Sequence, residues 1–313
     1  MVRTELGQQR NHDRHIRKTM ITIDFIDVWR PLLIPASSCS YVNDHTIFMD
    51  SDGQLQLIGT CARGNYRFWT ETGFISACSD SLQDTMQESG LLLSGHPLRG
   101  VKISPFVYVD ETSATYHLFF GPRNIYHFIS DTGKVWKRVE NAVSGLWPGL
   151  RDPHVIKYQS RYLMFSTGRG NCIEVRESSD LYTWGKSKTA LKLGPGIPRS
   201  LNSSCESPCV IPYGSDHLLF TTITPWSVSK KRNREYYLNT KVFVSRDPTD
   251  FGVYATDKTN TSNPVATIEA HAPEVIGYAG RRYITTCGWK NSPKAKGIHS
   301  EGVYIREMEI SDR

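Results

Sequence analysis

Asp152-Pro153-His154-Val155, followed after a short turn by Arg161-Tyr162-Leu163-Met164-Phe165-Ser166-Thr167, is the stretch on which the reading of this 313-residue chain turns. The same two-part pattern occurs four more times. Asp44-His45-Thr46-Ile47 precedes Gln54-Leu55-Gln56-Leu57-Ile58-Gly59-Thr60, and Ser104-Pro105-Phe106-Val107 precedes Tyr116-His117-Leu118-Phe119-Phe120-Gly121. Ser207-Pro208-Cys209-Val210 leads to His217-Leu218-Leu219-Phe220-Thr221-Thr222, and Ala272-Pro273-Glu274-Val275 to Arg282-Tyr283-Ile284-Thr285-Thr286-Cys287. The second runs are rich in β-branched and aromatic residues, the types that fit a pleated, half-buried surface.

In most copies a third strand follows, as in Asn124-Ile125-Tyr126-His127-Phe128-Ile129 and Cys172-Ile173-Glu174-Val175-Arg176. A polar turn then ends on an aromatic residue: Ser130-Asp131 with Trp136, Ser179-Asp180-Leu181 with Trp184, Ser245-Arg246-Asp247 with Phe251. The repeat starts lie about 48 to 65 residues apart, the size of a four-stranded sheet with its loops. A solenoid has shorter repeats that carry helices or very short strands. The pattern therefore predicts an all-β fold, a five-bladed β-propeller of four-stranded antiparallel blades around a central funnel. The blades start near residues 43, 104, 152, 207 and 272. The proline found in four of the five copies marks the beginning of each innermost strand, where a missing N–H matters least. Residues 1–20 are expected to be a disordered basic leader, and residues 21–313 a single propeller domain.

Twelve Phe, fifteen Tyr and seven Trp stand against only 39% hydrophobic residues. Many half-buried blade strands produce that balance. No stretch approaches the roughly 18 consecutive apolar residues of a membrane helix, which argues against a membrane partner. The net charge of +6 suggests an acidic partner until it is located. Arg3, Arg10, Arg14, Arg17 and Lys18 sit in the leader, and Lys230, Lys231, Arg232, Arg234, Lys241 and Arg246 in and around one loop of the fourth copy. The remainder is mildly acidic, so nucleic acid is not an expected partner. Seven cysteines, odd in number and widely spread, read as reduced thiols in a cytoplasmic protein. The leader has no apolar run of about 7–15 residues behind its charges and is not read as a secretory signal.

In a propeller the first strand of every blade lines the channel, so residues at its start converge from distant parts of the sequence. Asp44, Asp152, Glu206 and Glu274 stand at or beside those starts. Carboxyl groups held close in a partly dry site acquire unequal pKa values, giving an acid beside an ionised base. Glycoside hydrolysis needs that pair: one carboxyl protonates the leaving oxygen and another activates water or attacks carbon.

Asn43-Asp44-His45, Arg151-Asp152-Pro153-His154-Val155 and Glu206-Ser207-Pro208, in that order and spacing, resemble the five-bladed arabinanase, levansucrase and invertase superfamily of glycoside hydrolases, with families 43, 32 and 68. The resemblance spans nearly all of residues 40–310. It implies that Asp44 is the general base or nucleophile, Asp152 the residue that orients the sugar and raises the acid's pKa, and Glu206 the general acid. It further implies that Arg151 contacts a sugar hydroxyl or sets the local potential, and that His271 helps hold a central ion or water. His45 stands where family members usually have proline, and the secretion signal common among polysaccharide-degrading members is missing.

His45, His154, His271, Glu274 and Trp289 complete the expected substrate-binding set. Trp69, Trp147 and Trp226 are further candidates for stacking on a sugar, or for packing between blades. The three histidines lack a compact metal signature such as His-Glu-x-x-His, so no metal or cofactor is expected. Cys205 and Cys209, with three residues between them in an extended strand, are expected to point the same way and to pack. The expected partner is a small carbohydrate substrate, with the oligomeric state left open. Two other functions fit the same scaffold. One is a non-hydrolytic acid/base enzyme, a cyclase or isomerase of an apolar metabolite. The other is a catalytically silent sugar-binding propeller, which salt bridges from the acids to Arg151 or Arg169 would favour.

Overall fold

The computed structural model describes residues 21–36, 39, 41–62, 70–93, 101–139, 143–144, 150–197, 205–224, 238–287 and 302–312. Strands β1 (Ile21–Phe25) and β2 (Arg30–Leu33) precede the first blade, which is formed by β3 (Tyr41–Met49), β4 (Leu55–Ala62), β5 (Glu71–Ser79) and β6 (Gln87–Leu92). The second blade is β7 (Ile103–Asp110), β8 (Thr115–Gly121), β9 (Tyr126–Ser130) and β10 (Lys137–Arg138). The third is β11 (Arg151–Tyr158), β12 (Arg161–Thr167), β13 (Cys172–Ser178) and β14 (Lys188–Leu193). The fourth begins with β15 (Cys205–Tyr213), β16 (Asp216–Ile223) and β17 (Thr240–Ser245). The chain then adds β18 (Gly252–Tyr254) in parallel to β14 before β19 (Ala266–Ile268) closes the fourth sheet. The fifth holds β20 (Val275–Tyr278), β21 (Arg281–Cys287) and β22 (Val303–Asp312). These sheets make a five-bladed propeller.

Two blades depart from the expected four antiparallel strands. The third has a fifth, parallel strand borrowed from the fourth repeat. The fifth is completed from the other end of the sequence: β1 pairs antiparallel with β22, from Ile21 opposite Asp312 to Phe25 opposite Met308, and β2 pairs with β22 beyond it. Arg306 fixes the link between β1 and β2. Its guanidinium lies 3.7 Å over the Phe25 ring and donates to the Asp27 carbonyl at 2.6 Å.

Second strands read as continuous apolar runs because both of their faces are covered. All eight residues of β4 are buried, as are the last six of β8 and of β16. Among the described residues the apolar side chains gather in five clusters, each between neighbouring blades. Phe48, Ile58 and Phe74 of the first blade meet Leu118, Phe120 and Phe128 of the second, with the Phe74 and Phe120 rings edge to face at 5.1 Å. Leu163, Phe165 and Leu191 of the third meet Val210, Leu219 and Phe243 of the fourth. The high aromatic count is spent on these seams.

The third strands end on a recurrent serine. Ser130 Oγ accepts the N–H of Thr132 and Gly133, Ser178 Oγ those of Asp180 and Leu181, and Ser245 Oγ that of Asp247. Each turns the chain toward the outer strand by side-chain capping.

Candidate active site

Every innermost strand from the first blade to the fourth slips in register near its start: between Asn43 and His45, Ile103 and Phe106, Arg151 and His154, Glu206 and Cys209. Asp44, Ser104, Asp152 and Ser207 occupy the slips. Ala272, just ahead of β20, completes the ring, and all five line one axial cavity of about 30 Å³. Ser104, Asp152, Ser207 and Ala272 adopt φ between 45° and 56°, a left-handed conformation that costs an L-residue about 1–2 kcal/mol. Pro105, Pro153 and Pro208 lie within the slips, where no ladder N–H is required. In the first blade the slip is one residue shorter. His45, in the proline column, is back in register with Gly59.

In three blades a threonine at or near the end of the second strand braces the slip of the next blade. Thr60 Oγ1 accepts the Ser104 N–H at 2.9 Å, Thr167 Oγ1 that of Ser207 at 3.2 Å, and Thr222 Oγ1 that of Ala272 at 3.1 Å. In the second blade this position is Gly121, where an added Cβ would stand 3.1 Å from the Arg151 Cα. In the fifth it is Cys287, whose buried thiol is pushed well up by burial and then by the charge of Asp44.

The bulges bring carboxyl groups of three blades into one network. Asp44 Oδ2 is 2.9 Å and Asp152 Oδ1 2.5 Å from Ser104 Oγ. Ser207 Oγ donates to Asp44 Oδ1 at 3.1 Å, and Asp152 Oδ2 accepts from Thr167 Oγ1 and from the Ser207 N–H. Arg151 Nη2 donates to Glu206 Oε2 at 2.7 Å, and its Nε lies 3.5 Å from Asp152 Oδ2. Asp152 and Glu206 are buried, whereas Asp44 and Ser207 keep part of their surface open. Burial, then the charges of Asp152, Glu71 and Glu206, push the Asp44 carboxyl well above the usual range.

Glu71 escaped the sequence reading. It heads β5, is buried, and accepts hydrogen bonds from Tyr41 Oη at 2.8 Å and Asn43 Nδ2 at 3.3 Å. Burial pushes its carboxyl up to about 7, against the pull of those two donors. No motif marks it, since a charged residue at a strand start usually faces water. Ser104 and Ser207 were visible only as occupants of the same column as Asp44 and Asp152.

The expected binding residues hold neighbouring blades together. His45 Nε2 is 2.7 Å from Thr285 Oγ1, His154 Nε2 donates to the Val210 carbonyl at 3.0 Å, and His271 Nε2 is 3.2 Å from Asn43 Oδ1. Glu274 Oε2 accepts the Ile47 N–H at 2.9 Å. Burial holds the histidines neutral, pushing His45 down to about 3, His154 to about 4 and His271 well below its ordinary value. Glu274 is pushed up to about 8 by burial. Among the described residues no group of three or more His, Cys, Asp or Glu side chains is arranged to hold a metal ion.

Cys205 and Cys209 do not point the same way. Cys205 packs between the third and fourth blades and Cys209 between the fourth and fifth, because the slip at Ser207-Pro208 reverses the alternation of the strand. Trp69, Trp147, Trp226, Trp289 and the basic loop at 230–234 lie outside the described residues.

The backbone arrangement is similar to that of known enzymes. RS223 β-xylosidase superposes with a TM-score of 0.62 at 11% identity, over 89% of this chain and 94% of that one. An α-L-arabinofuranosidase of Clostridium thermocellum gives 0.60 at 15% identity, over 87% and 90%. The catalytic domain of a family 62 α-L-arabinofuranosidase of Coprinopsis cinerea gives 0.62 at 13%, over 90% and 96%. The chain has the five-bladed propeller fold of these proteins. No protein-family model and no curated protein matches the sequence. At such identities the likeness is one of fold, and function has to be argued from the site.

Proposed function

We propose that the protein is a glycoside hydrolase acting on a small furanoside or pyranoside. Asp44, Asp152 and Glu206 are its carboxyl set. Glu206 protonates the leaving oxygen, Asp44 activates water or attacks the anomeric carbon, and Asp152 holds the set in place. The observation that carries this reading is the linkage of carboxyl groups from the first, third and fourth blades through Ser104, Ser207 and Arg151 at one end of the channel. The axial cavity, about 30 Å³, has room for a water or two but not for a sugar ring. A substrate therefore sits over the ring of bulges, where Asp44 and Ser207 are open. The β-xylosidase and arabinofuranosidases of the same fold suggest pentosides as the first substrates to try.

The test is turnover of aryl xylosides and arabinofuranosides. Glu206→Gln and Asp44→Asn are each expected to lower kcat by about 10²- to 10⁴-fold, the usual contribution of a positioned acid or base. Full turnover in either variant would sink the mechanism. The 2.7 Å pair between Arg151 and Glu206 favours a second reading, a propeller that binds sugar without cleaving it, because a guanidinium stabilises the ionised carboxylate and opposes proton donation. Calorimetric binding of xylo-oligosaccharides by a wild-type protein that releases no sugar would decide for it.

A further inference from the structure

The Ser104 hydroxyl lies between two carboxyl groups, at 2.9 Å from Asp44 Oδ2 and 2.5 Å from Asp152 Oδ1. A hydroxyl has one hydrogen to donate. With both aspartates ionised, one of these contacts would bring two lone-pair oxygens together in a site where Asp152 is buried. The geometry needs one further proton.

The surrounding donors say where it goes. Asp152 accepts from Thr167 Oγ1 and the Ser207 N–H and has the Arg151 Nε at 3.5 Å. Its contact with Ser104 is in the short range typical of a hydroxyl donating to a carboxylate. Asp44 has the Ser207 hydroxyl at 3.1 Å and Ser104 at 2.9 Å, a longer contact than that between Ser104 and Asp152. Among the described residues, the titratable groups that face Asp44 are Tyr41 on its own strand, Glu71 on β5, Asp152 on β11, Glu206 on β15 and Cys287 on β21. His45 and His271 beside them are neutral. Among the described residues Arg151 is the cation beside these groups, and it is directed at Glu206 and Asp152.

We propose that Asp44 and Asp152 form a one-proton unit joined by the Ser104 hydroxyl: Asp44 carries the proton and donates it to Ser104 Oγ, Ser104 donates its own to Asp152, and Ser104 is the positioning residue that sets when Asp44 ionises. The consequence for catalysis rests on the hydrolase reading above. Asp44 acts as a base only after this proton has left, so kcat/KM rises with pH through its ionisation. Removing the Ser104 hydroxyl takes away the acceptor of the Asp44 proton, and Asp44 then ionises at lower pH. A serine that merely donated to an ionised Asp44 would have the opposite effect.

The experiment is ¹³C NMR of protein labelled at the aspartate carboxyl carbons, with the Asp44 signal identified by its loss in Asp44→Asn. In the wild type Asp44 is expected to remain protonated well above the pH range in which an ordinary aspartate, titrating at about 3.9, ionises. In Ser104→Ala its titration is expected to move down by about one unit or more, with the acid limb of kcat/KM moving the same way. Alanine already occupies the equivalent left-handed position at Ala272, and Ser104→Gly, which accepts positive φ freely, serves as the second variant. An Asp44 that ionises with the ordinary aspartates, or whose titration rises or stays fixed when the hydroxyl is removed, overturns the proposal. The carboxyl titration needs no turnover. A protein that cleaves no glycoside yet titrates as described leaves the one-proton unit standing and removes the hydrolase reading, whereas normal titration with intact turnover does the reverse.

Discussion

Glu274 and Glu71 are carboxyl groups that the fold keeps from ionising, and that makes stability depend on pH. Folded Glu274 ionises near about 8 and Glu71 near about 7, against about 4.3 for an unfolded glutamate. Between these values the unfolded chain holds fewer protons than the folded one, so raising the pH favours unfolding. Stability is expected to fall from pH about 4.3 to about 8 and to level off above. Glu274→Gln, whose amide oxygen can still accept the Ile47 N–H, is expected to flatten that decline, read as urea midpoints at pH 5 and pH 8. An unchanged decline would show that Glu274 is not its source. At this scale the sequence was partly legible. Asp44 and Asp152 declared themselves because a repeat put them in one column. Glu71 did not, because its significance comes from burial behind Tyr41 and Asn43, which only the closed ring creates.

The element that recurs is a second strand whose threonine, at or near its end, braces the next blade's bulge. Thr222 offers a test, since its hydroxyl accepts the N–H of Ala272. Thr222→Val strands that buried N–H and is expected to cost about 1–3 kcal/mol in urea unfolding, with Thr222→Ser recovering most of it. Equal stability in the valine variant would refute the brace. Gly121 is the exception that serves the site. A methyl group there presses on Arg151. Gly121→Ala is therefore expected to weaken sugar binding more than stability, measured by calorimetry beside thermal melting. Strands and their repeat could be read from residue types. The bulges could not, and they turn Cys205 and Cys209 to opposite faces and give Ser104 and Ser207 their roles. An extra residue in a strand leaves no compositional trace.

Across the whole molecule, five apolar seams hold five sheets, and the last seam is sealed by β1. Ile21, Ile23 and Phe25 pack with Trp29, Tyr304, Met308 and Ile310. Removing residues 1–25 is expected to leave β22 with an unpaired edge and an uncovered seam. The truncated protein should self-associate in sedimentation velocity and melt at lower temperature. A monomer of unchanged stability would assign β1 no closing role. The net charge, the one global property that suggested an acidic partner, had no bearing on any of this.

The pairing of β1 with β22 also orders events in time. Thr22 and Ser311, joined by a 2.9 Å hydrogen bond, are 289 residues apart in sequence. On a ribosome β1 therefore finds its partner only after the 289 residues that separate them have been made. Until then the seam that β1 covers lies open. Loop closure over so many residues is entropically costly and slow compared with the hairpins that form the other blades. Moving Ile21–Phe25 behind Asp312 by circular permutation would turn that distant pairing into a local hairpin, and nascent chains of this fold would no longer hold that seam open until β22 is made.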